Sequence, residues 1–246
     1  MVPAATAPLA LREPAGREVT LSSVLPLGWP ALVRIDGTIL LGLQVATRSG
    51  DVSRDLGWAL ELALLAEPGN PVQPVGLPGA GPRLQDLLAE APLEVTVHDG
   101  FGYWVEGAPD AEGEVAASLE QANASVIPTV RLAGVPSAYW CRMRQRTHLR
   151  WVLPEDEEPL LDALARISVA SGLGVGPDTR FVGSFRAHGL VVPVWDLPGD
   201  REAADLEEPA AALRHRLDEA LATPRTLSAD ERRVRAGLLS RQLTLR

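Results

Sequence analysis

The sequence predicts an α+β fold made of two similar antiparallel sheet-and-helix units, packed as a pseudo-twofold internal duplication. Short alternating runs with β-branched residues predict the strands, and leucines that repeat on one face predict the helices. Residues 18–127 and 128–246 present these elements in the same order: strand, hairpin, helix, hairpin, helix. The second hairpin of each unit has a turn glycine, Gly100 in the first and Gly189 in the second. We therefore expect the two units to share one strand order.

The first unit follows an Ala- and Pro-rich stretch, residues 1–17, which is predicted to be an extended leader. Asp36-Gly37 lies between two apolar runs and predicts a hairpin, because both residues accept the positive φ angles of a tight turn. Asp51 begins a predicted helix whose leucines recur every four residues on one face. Predicted strands lie at 18–25, 29–35, 38–46, 93–97 and 103–105, and predicted helices lie at 51–66, 83–90 and 112–126.

The second unit has its clearest signals where helices begin. The acidic run from Glu155 to Glu158 begins one helix, because carboxylates are stabilised at the positive end of the helix dipole. Ser228 and Glu231 form a capping box for the last helix, since each side chain can bond a free backbone N–H group. Predicted strands lie at 128–132, 138–143, 148–153, 180–187 and 190–197, and the C-terminal helices lie at 202–223 and 228–239.

The composition excludes several classes of function. The net charge is −9, which disfavours a nucleic-acid partner. All 23 basic residues are arginine, and the absence of lysine excludes Walker-type phosphate loops and Schiff-base chemistry. The single cysteine excludes an internal disulfide and a Cys-rich metal cluster, so we expect no metal and no cofactor. The chain shows no signal peptide and no run of about 18 apolar residues, so we expect a cytoplasmic protein with no membrane contact.

Eight stretches, spread in order along nearly the whole chain, resemble segments of one protein family. They are 2–7 (VPAATA), 25–32 (LPLGWPAL), 49–55 (SGDVSRD), 81–88 (GPRLQDLL), 138–141 (AYWC), 148–152 (HLRWV), 183–190 (GSFRAHGL) and 192–198 (VPVWDLP). Together they resemble an actinobacterial family of unknown function, DUF 5926. Typical members begin with a SEC-C segment, a Cys-rich zinc motif also found at the tail of the SecA translocase motor. The resemblance therefore implies a link to protein export or nascent-chain machinery. Cys141 lies far from the N-terminus, so we expect this chain to lack the SEC-C segment and its zinc.

An Arg-rich turn between two predicted strands is the strongest candidate binding surface. Its arginines alternate, which predicts that Arg142, Arg144 and Arg146 lie on one strand face. Such a face could hold an anionic partner or a nucleic-acid strand by charge and by stacking on aromatic rings. A purely structural alternative is a solvated turn that pairs with the acidic run at 155–158. The proposed binding residues are Trp140, Arg142, Arg144, Arg146, Arg150 and Trp151.

Histidines provide a second set of candidates, for acid–base or nucleophilic chemistry. The pairs to consider are His98 with Asp99, His188 with Asp196, and Cys141 with His148. The last pair would be an activated thiol if the two side chains formed a hydrogen bond. Ordinary structural roles explain each residue better than a catalytic one, because Asp and Gly are common in turns and cysteine is common in cores. Three scattered histidines have no metal-ligand spacing, so they predict no metal site.

Tryptophan is unusually frequent, with six residues against two tyrosines and three phenylalanines. Core packing accounts for tryptophans first, but an exposed subset would mark a binding surface. We expect a non-enzymatic binding or adaptor protein with a protein partner. One alternative is a hydrolase or transferase with a site near the His98 and His188 hairpins, which would require His98, His188 and Asp196 to meet in one pocket. Another is an RNA or nucleotide binder that uses the patch from Arg142 to Arg150.

Overall fold

The computed structural model of the chain describes residues 3–13, 16–46, 48–72, 76–105, 114–187 and 189–240. The chain divides into two units, Met1–Ile127 and Pro128–Arg246. Each unit contains a β-sheet and helices, and antiparallel pairing dominates both sheets. The α+β class predicted from the sequence is therefore confirmed. None of the helices in these ranges is long and apolar enough to cross a membrane.

The first unit has one sheet in the order β5-β3-β4-β2-β1-β6. Within it β2 and β4 run parallel, and the other neighbours run antiparallel. Helix α1 covers one face, where its buried residues contact those of β3 and β4. The strands are β1 (Ala4–Leu9), β2 (Val19–Val24), β3 (Ala31–Val33), β4 (Ile39–Gln44), β5 (Pro71–Val72) and β6 (Thr96–His98). The helices are α1 (Val52–Leu65), α2 (Leu84–Leu87) and α3 (Glu114–Asn123).

Two local predictions in this unit are confirmed. Asp36-Gly37 joins β3 to β4: Gly37 has φ +89°, and Asp36 Oδ1 accepts a 2.9 Å hydrogen bond from the N–H of Thr38. Asp51 precedes α1, and its side chain accepts a 3.1 Å hydrogen bond from the N–H of Arg54. In both places the aspartate accepts a hydrogen bond from a backbone N–H two or three residues later, so the signal is local in the sequence.

Two other segments differ from their predictions. Residues 1–17 were predicted to be an extended leader, but they contain β1, which lies inside the sheet between β2 and β6. The predicted hairpin at His98–Phe101 does not form, since Gly102–Trp104 is a 3₁₀ turn instead of a returning strand. Asn123 at the end of α3 accepts a 2.7 Å hydrogen bond from the N–H of Phe101, which directs the chain towards α3.

The second unit has a fully antiparallel sheet in the order β10-β11-β9-β8-β7. Its core contains residues of the sheet and of α4, α5 and α6, and its largest buried side chains are Trp151 and Trp195. The predicted capping box is present, with a 2.7 Å hydrogen bond from Ser228 N–H to Glu231 Oε2. The strands are β7 (Thr129–Arg131), β8 (Ala138–Met143), β9 (Arg146–Trp151), β10 (Arg180–Ala187) and β11 (Leu190–Leu197). The helices are α4 (Glu157–Ala170), α5 (Glu207–Leu221) and α6 (Ala229–Ser240).

The internal duplication is not confirmed. Four strands do follow the same order in the two sheets, β1-β2-β4-β3 in the first and β8-β9-β11-β10 in the second. However, β2 and β4 are parallel, whereas β9 and β11 are antiparallel. The connections explain the difference, because a short turn joins β2 to β3 while helix α4 joins β9 to β10. The two units therefore differ in strand direction despite their similar element order.

Candidate functional site

The six tryptophans form two groups, according to whether the indole N–H donates a hydrogen bond within the described part of the fold. Four of them are buried, and each donates a hydrogen bond to a backbone carbonyl: Trp104 to Val24, Trp140 to Arg201, Trp151 to Pro136 and Trp195 to Leu173. Trp29 and Trp58 are only half-buried, and their indole N–H groups have no acceptor within the described part of the chain. Neither indole nitrogen is among the buried side-chain atoms that lack a partner, so both N–H groups are open to water or to a ligand.

Trp29 and Trp58 line the same cavity in the first unit, which has a volume of about 530 Å³. Its walls are the turn before β3, the end of β4, the first half of α1 and the loop at residues 76–78. Most of the lining side chains are leucine, valine, proline and tryptophan. Pockets for small ligands are typically about 300–1,000 Å³ and mostly apolar, with a few polar groups. We therefore take this pocket as the candidate binding site.

Gly42 in β4 fixes the position of Trp29. A Cβ atom at Gly42 would lie 2.6 Å from the backbone oxygen of Trp29, which is too close for any other residue. The N–H of Gly42 donates a 2.9 Å hydrogen bond to the carbonyl of Pro30. The glycine thus lets the strand approach the turn that carries the first indole of the pocket.

Helix α1 holds the loop on the opposite wall. Arg54 donates hydrogen bonds to the carbonyls of Gly79 and Pro82, both at 2.9 Å. Arg83 forms an ion pair with Asp51 at the start of the same helix, at 2.6 Å. These contacts come directly after residues 76–78, so they hold the C-terminal side of the segment that lines the pocket.

Leu27 lies at the pocket in an unfavourable backbone conformation. Its φ is +54°, in the left-handed region, and 84% of its side chain is exposed. It is the third residue of a turn closed by a 3.0 Å hydrogen bond from Gly28 N–H to the carbonyl of Leu25. Glycine or asparagine is preferred at this turn position, because other side chains clash there. Neither the backbone nor burial within the chain explains a leucine here.

Two charged residues line the pocket, Arg48 and Asp55. Asp55 is compensated, because it accepts a 3.1 Å hydrogen bond from Ser49 N–H and lies in the first turn of α1. Arg48 is exposed and forms neither an ion pair nor a hydrogen bond within the described residues. The sequence analysis missed Leu27, Arg48 and Asp55. The Pro-Leu-Gly turn was a visible signal for Leu27, since its glycine indicates a tight turn.

The Arg-rich surface differs from its prediction. Trp140 and Trp151 are 3% and 1% exposed, so neither can stack on a partner's ring. Arg142 and Arg146 lie on opposite faces, because Arg142 pairs with Thr147 and Met143 with Arg146 across the hairpin. Arg144 is in the turn itself, with φ +58°. The alternation rule fails here because the strand ends before Arg144.

The arginines of this surface also have different partners from those expected. Arg142 pairs with Glu202 at 2.6 Å and lies 4.9 Å from the ring centroid of Trp140. Arg150 donates to Met143 Sδ at 2.8 Å, while Arg144 and Arg146 are exposed. The acidic run at 155–158 bonds arginines elsewhere in the unit: Glu155 pairs with Arg214, Glu157 with Arg186 and Glu158 with Arg235. The most exposed arginines of the surface are thus Arg144 and Arg146 at the hairpin tip.

Cys141, His148 and Asp196 lie in one row across β8, β9 and β11. His148 Nδ1 is 3.0 Å from Asp196 Oδ1, at an angle that is poor for a hydrogen bond, and Arg180 pairs with the other carboxylate oxygen at 2.6 Å. Burial raises the pKa of the Cys141 thiol and lowers the pKa of His148. Both groups are therefore held neutral near pH 7, and no hydrogen bond joins them in the described residues. A neutral thiol is a weak nucleophile.

The other two histidine pairs have different outcomes, because only the one with His98 lies wholly within the described residues. His98 Nε2 lies 2.7 Å from Thr6 Oγ1, not against Asp99. His188 is outside the described residues, and Asp196 lies opposite Arg180, roughly 20 Å along the strand from the turn. Where the structure describes the chain, no group of three metal-binding side chains converges.

Comparisons with known proteins give one result. No curated protein matches the chain, and no solved structure matches it. A family model described as a family of unknown function (DUF5926) matches residues 1–246, its full length. The resemblance read from the sequence is confirmed, and the chain belongs to the DUF5926 family.

Proposed function

We propose that the chain is a binding or adaptor protein that acts without turnover, and that the pocket of the first unit is its recognition site. One observation carries the proposal: the two tryptophans whose indole N–H groups have no acceptor among residues 3–240 as far as these are described line the same cavity. Four other tryptophans are bonded within the fold and serve as core residues. Leu27 supports the same site, because its exposed side chain gains burial only if a ligand covers it.

The two alternatives have weaker support. A hydrolase or transferase needs an acid, a base or a nucleophile gathered in one place. Cys141 and His148 are adjacent but both are held neutral by burial, and His98 bonds Thr6. An RNA or nucleotide binder needs exposed rings, and the two tryptophans of the Arg-rich surface are buried. These observations favour the binding proposal.

A protein partner and a cytoplasmic location are parts of this proposal. They rest on the resemblance to longer family members that carry a SEC-C segment, which implies contact with protein export or nascent-chain machinery. The exposed hairpin tip with Arg144 and Arg146 is a second contact for such a partner. An acidic surface on the partner would be attracted to these two arginines. Arg144→Glu is therefore expected to weaken capture of the partner without affecting the pocket.

The pocket is tested with N-phenyl-1-naphthylamine, a neutral apolar dye whose fluorescence rises in an apolar environment. Wild-type protein is expected to bind the dye saturably at one site per chain. Leu27→Asn is expected to weaken binding several-fold, and Leu65→Asn, its equally exposed control outside the pocket, is expected to have no effect. Absence of saturable binding, or equal losses in the two variants, would show that the pocket is not the site. A hydrolytic activity that disappears in His188→Ala would favour the enzyme alternative.

A further inference from the structure

We infer that the pocket of the first unit binds an apolar group, aromatic by preference, that carries a carboxylate. This inference rests on the proposed function and names the chemistry of its ligand. Three features of the pocket lead to it: a cation and two indole donors that have no partner among the described residues, and a wall of leucines that includes exposed ones. The cation follows β4, the two indoles lie in the turn before β3 and on α1, and the leucines line the same walls.

The cation is Arg48. The other arginines near the pocket are engaged, since Arg54 bonds the loop carbonyls and Arg83 pairs with Asp51. The carboxylate of Asp55 accepts a hydrogen bond from Ser49 N–H and lies in the first turn of α1. Arg48 and Asp55 form no ion pair with each other among the described residues, so the guanidinium of Arg48 is open to an anionic group of a ligand. Arginine binds a carboxylate through two parallel hydrogen bonds, which gives such a pair both energy and a defined geometry.

The indole groups of Trp29 and Trp58 are the second feature. An indole N–H only donates, so each requires an acceptor on the ligand or on water. A carboxylate offers about four acceptor positions on two oxygens, enough for a guanidinium and for an indole N–H as well. An ammonium group has only donors, so it could accept a hydrogen bond neither from Arg48 nor from the two indoles. The donors and the charge thus favour the same ligand class.

The third feature is the apolar surface around these donors. Leu27, Leu43 and Leu77 line the pocket and expose 84%, 37% and 57% of their side chains. Burying apolar surface contributes about 25 cal/mol per Å², and flat rings also stack on indoles. The cavity of about 530 Å³ is large enough for a two-ring aromatic group. Such a carboxylate could be a free small molecule or the apolar C-terminal residue of a polypeptide.

Calorimetry with two matched pairs of probes tests the inference and separates the two sources. The free pair is naphthalene-2-carboxylate and naphthalene-2-carboxamide. The peptide pair is a Gly-Ser-rich heptapeptide ending in Phe, with a free or an amidated C-terminus. At least one acid is expected to bind roughly tenfold more tightly than its amide, because a charge-assisted pair is lost in the amide. The acid that shows this preference identifies the source.

Two variants make the result specific to the pocket. Arg48→Gln is expected to abolish the preference for the acid, while Arg131→Gln, an exposed arginine at the end of β7 in the second unit, is expected to retain it. In ¹H–¹⁵N spectra, the indole resonances assigned through Trp29→Phe and Trp58→Phe are expected to shift with the acid, and the other indoles are not. Equal affinity for acid and amide, or an unchanged preference in Arg48→Gln, would overturn the carboxylate inference while dye binding still supported the pocket. Absence of dye binding would instead reject the proposed site.

Discussion

Leu27 and Leu65 expose almost the same fraction of their side chains, 84% and 85%, but only Leu27 lines the pocket. Leu65 is the last residue of α1, whereas Leu27 has a left-handed backbone with φ +54°. A leucine in that conformation costs roughly 1–2 kcal/mol compared with a right-handed one. The two leucines therefore match in exposure but differ in backbone strain, so a comparison of their variants isolates the effect of the strain.

Replacing Leu27 should therefore improve stability while it weakens binding. Asparagine tolerates the left-handed region, so Leu27→Asn is expected to raise the free energy of unfolding by about 1 kcal/mol. Urea denaturation measures this change. Leu65→Asn is the control, and its stability is expected to stay within about 0.5 kcal/mol of wild type apart from a small loss of helix propensity. A Leu27→Asn protein less stable than Leu65→Asn would contradict the strain argument.

Gly42→Ala is expected to displace Trp29 and destabilise the first unit. The added Cβ would lie 2.6 Å from a backbone oxygen, so the strand or the turn must move, at a cost of about 1–3 kcal/mol. Gly102→Ala is the matched control, because its Cβ would meet nothing within 4 Å. Chemical denaturation gives the stability of both variants, and the indole resonance of Trp29 reports the displacement. Equal stabilities would show that the strand relaxes freely around a methyl group.

Glu231 should make stability depend on acid pH. Hydrogen bonds from Arg225, and then from the N–H of Ser228, lower the pKa of this carboxyl from 4.5 to about 2. The stabilisation is therefore complete above pH 4.5 and is lost as the pH falls through that range towards 2. We expect Glu231→Gln to lower the melting temperature at pH 7, with the difference from wild type shrinking as the pH approaches 2. Glu208→Gln, an exposed glutamate on α5, should change the melting temperature little at either pH.

His148 should have its effect at a higher pH. Burial lowers its pKa below the ordinary 6.5, and Arg150 and Arg146 act in the same direction, although Asp196 opposes them. The unfolded chain therefore binds the proton more readily than the folded chain. The contribution of His148 is full above pH 6.5 and is lost as the pH falls towards the folded pKa.

The measurement is urea denaturation at pH 7.5 and at pH 5.5. Wild type is expected to lose more stability across this interval than His148→Asn, which cannot titrate. A loss of equal size in the two proteins would mean that Asp196 restores the pKa of His148 to its ordinary value.

Local signals in the sequence were reliable guides to the fold. Asp36-Gly37, the helix start at Asp51 and the capping box at Ser228 each depend on residues a few positions apart, so a single sequence contains the whole determinant. Most strands and long helices, and the α+β class, followed from such signals. Whether neighbouring strands run parallel or antiparallel did not follow from these signals, because it depends on the segments that connect the strands. The matching element orders of the two units concealed the parallel pairing of β2 with β4.

The candidate site was harder to predict, because it depends on exposure. Gly28 and Pro30 indicate a turn at Trp29, but the sequence does not show that Trp29 lines a pocket while Trp140 bonds Arg201 within the fold. That an exposed subset of tryptophans marks a binding surface stays a prediction, and finding the two less buried ones, Trp29 and Trp58, needed the structure. Arg142 and Arg146 show the same limit, since the position of one turn residue decides which face each arginine occupies.

The place of β1 in its sheet has a consequence for synthesis on the ribosome. Thr6 and His98 are 92 positions apart in the chain, but their side chains lie 2.7 Å from each other. Elongation at about 5–20 residues per second means that β1 waits roughly 5–20 seconds before β6 emerges. Throughout that interval one edge of β1 has no neighbour, and an unpaired edge can add a strand from another chain. Slow translation of residues 10–98 should therefore increase aggregation of the newly made protein more than slow translation after residue 128.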